Sequence, residues 1–347
     1  MMDLLDYPIT FETAGFEHLQ AQLAQAAYSK VVVLVDTNTQ QHCWPILQQA
    51  LQVWNPSTIV VPEGEEHKNI ATCQYIWQQL MTLQVDRQGV LLNLGGGVLG
   101  DMGGFCASTF KRGLDFIQVP TTLLAQVDAS VGGKLGVDFE GVKNSVGLFA
   151  APKAVYLYPP FFKTLPKAEL YSGYAEMIKH ALLQQEQHWR AFLPSTFPPQ
   201  DWQTSIEASI EVKKKLVAQD PLEQGARKQL NLGHTIGHAI ESLSWETPTP
   251  LLHGEAVALG TLLEGYLSWK ILGWPEQELQ ALKDYIRSLY PAYELAALDQ
   301  EAIWQLILQD KKNSHQQVAF TLIQADGSIA INQPVSKELV KEALAYY

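Results

Sequence analysis

At 347 residues the chain exceeds the size at which a single hydrophobic core stops growing, so two domains are expected and size does not limit it to a small binding module. Hydrophobic residues make up 47% and charged residues 17%, the balance of a globular protein and not of a disordered one. A net charge of −12 argues against nucleic acid and anionic membrane surfaces, which reward a basic face, and obliges any anionic substrate to find a local basic pocket.

Taken in chain order, MMDLLDYPIT carries acids where a secretory signal would carry bases, and no apolar run approaches the roughly 20 residues that span a bilayer. Short buried-type strands follow: VVVLV between Lys30 and Asp36, TIVV between Ser57 and Pro62, VLLNL between Gly89 and Gly95, IQV between Phe116 and Pro120, and YLY between Val155 and Pro159. Continuous Val/Leu/Ile runs of this length, separated by helix-like segments, predict βαβ units and a parallel, Rossmann-like sheet. Beyond residue 160 the period becomes helical, with helices predicted over 167–183, 202–216, 230–243 and 255–272, a Pro/Thr loop at 247–252, and a late strand or hairpin in QVAFTLI (317–323). The expected organisation is an α/β domain over 1–160 and a mostly helical domain over 161–347. Cys43, Cys73 and Cys106 form no CxxC, which fits a reducing cytoplasm and suggests no cysteine metal site.

Several stretches carry chemistry. GGGVLGD (95–101) places Gly95, Gly97 and Gly100 between a strand and a predicted helix, where backbone can approach a pyrophosphate, although the usual position of this pattern is the first βα turn. Asp36, at the end of the first strong strand, suits either a ribose hydroxyl or a helix cap. DASVGGKLGVDFEGVKNS (128–145) reads as a glycine-rich loop that gathers Asp128, Lys134, Lys143 and Asn144. In YAEMIKHALL (174–183), Glu176, Lys179 and His180 share one helix face; a single carboxylate there is ordinarily a surface charge.

NLGHTIGHAIE (231–241) sets His234 and His238 one turn apart, and spacing alone favours them as a ligand pair. LLHGEAVALG (251–260) adds His253, and one carboxylate with two histidines is a recurrent catalytic zinc set that leaves a position open for substrate oxygen. Upstream, Arg227, Asn231 and His234 fall at offsets of four and seven, so a continuous helix would align guanidinium, amide and imidazole, with Lys213 and Glu223 nearby.

In order, EGEEHK (63–68), GGGVLGD, KRG (111–113), PTTLLAQVDASVGGK (120–134), KNSVG (143–147), GYAEMIKHALL (173–183), DPLEQGARKQLNLGHTIGHAIE (220–241), LLHGEAVALG and DKK (310–312) resemble the 3-dehydroquinate synthase family over the length of the chain. The resemblance implies that 3-deoxy-D-arabino-heptulosonate 7-phosphate is converted to 3-dehydroquinate and phosphate, by transient NAD-dependent oxidation, β-elimination, reduction and aldol closure. It assigns a zinc or cobalt ion to Glu176, His234 and His253. His238 thereby becomes a substrate residue, against the spacing argument, and His180 is structural.

The substrate positions implied are Arg112, Asp128, Lys134, Asn144, Lys179, Lys213, Arg227, Asn231, His238 and a lysine of DKK, Lys311 or Lys312. Those implied for NAD are Asp36, Asn38, Glu65, Lys68, Gly96, Gly97, Asp101, Thr121, Thr122 and Lys143. Arg112 matches an arginine that reaches the neighbouring subunit's site, implying a homodimer. Val142 stands where many members have glycine, so Gly141 is expected to take the turn. The competing readings are a sister cyclase acting on sedoheptulose 7-phosphate, whose substrate lacks the carboxylate that Lys213, Arg227 and Asn231 would meet; a metal-dependent polyol dehydrogenase that releases NADH; and a non-catalytic NAD-binding regulator, which leaves the Glu/His/His and basic sets unused.

Overall fold

The computed structural model of the chain describes residues 4–140, 142–184, 188–309 and 318–347. It divides into two compact units, the first comprising 1–166 with Trp202–Ile206 and the second 167–201 with Glu207–Tyr347.

The first unit runs β1 (Ile9–Phe11), α1 (Glu17–Ala26), β2 (Val31–Asp36), α2 (Thr37–His42), α3 (Trp44–Ala50), β3 (Ser57–Val61), α4 (Ile70–Thr82), β4 (Val90–Gly95), α5 (Gly97–Thr109), β5 (Asp115–Pro120), β6 (Lys134–Phe139), β7 (Val142–Phe149) and β8 (Val155–Leu157). Six strands form a parallel sheet in the order β1-β8-β5-β4-β2-β3. The apolar runs are continuous because both faces are covered. Val31, Val33 and Val35 of β2, with Leu92 and Leu94 of β4, pack against Leu19 and Leu23 of α1 and Leu47 of α3. Their alternates Val32, Leu34 and Leu91 pack against Ile76 and Leu80 of α4 and Met102 and Cys106 of α5. Successive side chains of a strand point to opposite faces, so one run of Val and Leu feeds two cores.

The stretch expected as a loop at 128–145 is ordered backbone. Ala125–Ala129 forms a π-helical turn, and β6 and β7 pair as an antiparallel hairpin in which Gly136 faces Gly147. Val142 lies outside the left-handed region, which is taken instead by Glu140 (φ 51°) and Asn144 (φ 50°); Gly141 lies outside the described residues.

The second unit holds α6 (Lys167–Leu183), α7 (Trp189–Phe192), most of α8 (Trp202–Gln219), α9 (His234–Ser244), α10 (His253–Leu272), α11 (Glu276–Leu289), α12 (Gln300–Gln309), the hairpin β9 (Ala319–Ile323) and β10 (Ile329–Pro334), and α13 (Lys337–Tyr346). α10 is its axis: from Ala256 to Ser268 every residue is buried, as a helix largely apolar on all sides must be. A continuous helix over 230–243 is not what forms. Ala226–Asn231 is a 3-10 segment, Gly233 (φ 79°) turns left-handed, and α9 starts at His234. Arg227, Asn231 and His234 therefore do not lie on one helical stripe, and the i, i+4, i+7 reading is corrected. Among the described residues no helix is long and apolar enough to cross a membrane.

Candidate active site

In the first unit the sheet supplies the setting. β2 is flanked by β3 on one side and β4 on the other, so the chain reverses its direction of travel across the sheet between β2 and β4. Ligands of open parallel sheets bind outside the carboxyl ends of the strands at such a reversal. β2 ends there at Asp36, and β4 ends at Gly95, followed by Gly96 as the residue preceding α5. This accounts for the glycine pattern lying after a later strand than usual: β4 follows β2 and β3 in sequence but stands beside the reversal in space.

Gly96 offers α5 no side-chain cap, so the first amides of a buried 13-residue helix retain their capacity for an anion. Asp36 does cap α2: its Oδ1 accepts the Thr39 amide at 2.7 Å, while its own amide donates to Thr39 Oγ1 at 2.9 Å. The capping expectation is thus met, and its carboxylate bonds fall on Oδ1. Asn38 is exposed on α2. Thr121 returns its amide to Gly95 carbonyl at 3.0 Å, and Thr122 Oγ1 accepts the Ala125 amide at 3.1 Å.

Lys68 is almost completely buried and donates from Nζ to Asp101 Oδ2 and to Asn144 Oδ1, each at 2.7 Å. Burial alone would depress its pKa, but Asp101 and then Glu65 reverse this, and the ammonium is held charged. Lys134 and Lys143 are exposed on the β6–β7 hairpin, Asp128 lies in the π turn, and Arg112 is exposed with a left-handed backbone (φ 67°).

In the second unit Glu176 of α6 is 0% exposed, so the surface-charge reading fails. His234 Nε2 lies 3.4 Å and His253 Nε2 3.6 Å from its Oε1, and its Oε2 pairs with Lys179. These separations are long for hydrogen bonds, yet close to the roughly 3.3 Å between two ligands each about 2.0–2.1 Å from a tetrahedral zinc. Both imidazoles are turned by their other nitrogen: His234 Nδ1 pairs with the Leu232 carbonyl and His253 Nδ1 with Glu241 Oε2, each at 3.0 Å. A ring whose Nδ1–H is engaged presents a lone pair at Nε2. The donor set fits a divalent cation.

The three histidine rings also cluster, with centroids of His234 and His238 5.1 Å apart and of His238 and His253 5.7 Å apart. His234, His238 and His253 offer nitrogens mutually within 4.8 Å, so histidine geometry alone does not exclude His238 as a ligand. Glu176 favours the carboxylate-centred set, because its buried Oε1 faces Nε2 of both His234 and His253 and a buried carboxylate requires compensation.

Lys179, one turn along α6, is buried in an ion pair with Glu176. Burial would raise the Glu176 pKa, but Lys179 and His234 hold it well below the usual range. Burial and then Lys179 push His234 down to about 4, whereas for His253 the carboxylates of Glu176 and Glu241 outweigh burial and raise it to about 9. Lys213 and Arg227 are buried cations of the same unit, 6% and 1% exposed. Arg227 is held at both ends: its guanidinium Nη1 donates to the Pro221 carbonyl at 2.6 Å and its amide to Asp220 Oδ2 at 3.1 Å; Asn231 Nδ2 donates to Glu223 at 3.0 Å. His180 is buried and pairs with Ser209 Oγ at 2.7 Å. Lys311 and Lys312 lie outside the described residues.

Three supports were missed from sequence: Glu241, Asp220 and Ser172, whose Oγ accepts the Gly254 amide at 3.0 Å. Only Glu241 carried a signal, lying seven residues and two turns beyond His234.

The family model described as 3-dehydroquinate synthase N-terminal matches residues 58–172, and that described as 3-dehydroquinate synthase C-terminal matches 173–313. The 3-dehydroquinate synthase of Parabacteroides distasonis is 41% identical over 332 residues, covering 95% of this chain and 94% of that protein. Among solved structures, a 2-deoxy-scyllo-inosose synthase complexed with carbaglucose-6-phosphate, NAD+ and Co2+ superposes with a TM-score of 0.87 at 23% identity, covering 99% of this chain and 98% of the other. The 2-epi-5-epi-valiolone synthase of Streptomyces hygroscopicus subsp. jinggangensis, with NAD+ and Zn2+ bound, gives 0.81 at 21% identity, covering 100% and 98%. The structures share the fold; the matched models and the 41% relative carry the assignment, and with the Glu/His/His centre and buried cations they place this chain in the 3-dehydroquinate synthase family.

Proposed function

We propose that the chain is the phosphate-eliminating cyclase of its family, converting 3-deoxy-D-arabino-heptulosonate 7-phosphate to 3-dehydroquinate and phosphate, with NAD and zinc or cobalt. The observation that carries the reading is Glu176, a fully buried carboxylate whose Oε1 faces Nε2 of both His234 and His253 while its Oε2 pairs with Lys179. NAD supplies reversible hydride acceptance and the cation supplies Lewis acidity at a substrate hydroxyl.

The rest falls to the chain's own side chains. Glu176, His234 and His253 hold the cation, with imidazole orientation set by Leu232 and Glu241. Lys179, beside Glu176, together with Asp128 and Asn231, serves as a carbohydrate-binding position. Lys213 and Arg227 bind carboxylate by charge-assisted bonds, whose strength rises with burial. Lys134, Asn144, His238 and Arg112 hold the sugar phosphate. For NAD, α5 presents Gly96, Gly97 and Asp101 to the pyrophosphate, Asp36 and Asn38 serve the adenosine ribose, and Glu65, Lys68, Thr121, Thr122 and Lys143 line the remainder. A lysine of 310–312 completes the substrate set. The protein acts in the cytoplasm as a homodimer, with Arg112 entering the neighbouring subunit's site.

The test is phosphate release from the heptulosonate phosphate with NAD and zinc, with NADH absorbance followed in parallel. Stoichiometric phosphate without accumulating NADH is expected. Turnover of sedoheptulose 7-phosphate instead would move the chain to the sister cyclases and overturn the carboxylate role of Lys213 and Arg227; accumulating NADH would indicate a dehydrogenase.

A further inference from the structure

The two histidine-bearing helices are joined at a second place, through the backbone on either side of His234. Glu264 of α10 is 0% exposed and lies eleven residues, about three turns, beyond His253 on the same helix face. Its Oε2 accepts the Gly233 amide at 2.6 Å, and its Oε1 accepts the amides of Thr235 and Ile236 at 2.9 and 3.1 Å. These three peptide groups bracket His234. Gly233, the residue preceding α9, contributes no side-chain cap, so a carboxylate from another helix does what an N-terminal Ser or Asp ordinarily does, with the added attraction of negative charge for a helix N-terminus.

The approach requires glycine: a Cβ at Gly260, one turn before Glu264, would lie 1.9 Å from the Gly233 carbonyl oxygen, and one at Gly233 would lie 2.2 Å from Thr261 Oγ1. A water-exposed helix start needs no such arrangement. Here the amides are buried and would otherwise be unsatisfied, and the residue they surround is His234.

We propose that Glu264 is a positioning residue of the metal centre: by fixing the peptides on either side of His234 from the helix that begins with His253, it sets the mutual placement of the two imidazoles. This rests on the metal reading above. Outer contacts of this kind commonly change metal affinity about 10- to 100-fold.

The experiment is titration of the metal-free full chain with Co2+, read by the visible d–d bands and by the dissociation constant, for wild type, Glu264→Gln and Glu264→Asp. Gln keeps the shape but loses the charge and one acceptor; Asp keeps the charge at shorter reach. Expected is at least a tenfold weaker Co2+ affinity and altered d–d bands in Glu264→Gln, partial recovery in Glu264→Asp, and unchanged NAD binding in both. A folded Glu264→Gln with wild-type affinity and spectrum overturns the positioning role. Failure of both variants to fold at saturating Co2+ overturns it in favour of a purely structural one. Absence of Co2+ binding by the wild type would instead overturn the metal reading and this inference with it.

Discussion

Glu241 Oε2 lies 3.0 Å from His253 Nδ1, on the opposite side of the ring from the nitrogen that faces Glu176. The carboxylate fixes the tautomer and enriches the imidazole's electron density, both of which strengthen a metal–nitrogen bond. Replacing Glu241 with Gln is expected to weaken divalent metal affinity on the order of tenfold. Equilibrium dialysis with zinc checks this, and an unchanged dissociation constant would remove Glu241 from the metal centre.

Asp220 organises the segment that carries Arg227. Its carboxylate accepts the amides of Gln224 at 2.9 Å, Gly225 at 2.6 Å and Arg227 at 3.1 Å. Burial works to raise its pKa, but these three bonds prevail and lower it. A depressed carboxyl pKa means that the stabilisation is fully present above the unfolded value of about 3.9 and is lost as pH falls through the lower folded value, so the turn is intact at neutral pH. Asp220→Ala is expected to raise KM for the substrate several-fold while leaving metal content at wild-type levels. Metal loss in that variant would show that the turn supports the metal centre instead.

The proposed exchange of Arg112 between subunits makes an asymmetric prediction. Arg112→Ala and Glu176→Gln homodimers are each expected to be inactive. In a mixed dimer the subunit that keeps Glu176 receives Arg112 from its partner, so unfolding and refolding the two variants together restores about a quarter of wild-type activity, one working site in half of the dimers. No recovery, with mixed dimers demonstrated by differential tagging, would confine Arg112 to its own subunit.

Gly260 tests how closely α9 and α10 must approach. A Cβ there meets backbone on two sides, the Gly233 oxygen at 1.9 Å and the Gly237 nitrogen at 2.8 Å, so no side-chain rotation relieves it. Gly260→Ala is expected to destabilise the helical unit by about 2 kcal/mol or more, lowering its Tm by roughly 4–8 °C. Differential scanning calorimetry of the metal-free chain gives the answer; an unchanged transition would mean the helices separate without cost.

The strands of the sheet and the long helices were legible in the sequence because periodicity is a local property: β2, β4 and α6 begin and end within a residue of the apolar runs that encode them. The residue types of the centre were present in the same motifs, but spacing favoured His234 with His238, and the set Glu176, His234 and His253 came from the family resemblance. Position was not legible. KLGVDF and KNSVGLF read as loop because the facing Gly136 and Gly147 erase the alternation of a strand, and only their pairing across the hairpin orders them. Arg227, Asn231 and His234 read as one stripe until Gly233 broke the helix. Glu176 is indistinguishable in sequence from a surface carboxylate, and its burial against His234 and His253 comes from the packing of α6, α9 and α10. Glu241 and Glu264 acquire meaning only from the same packing. Side-chain chemistry and helical period are written along the chain, but which distant group compensates a buried charge or an unpaired amide is decided by tertiary contact.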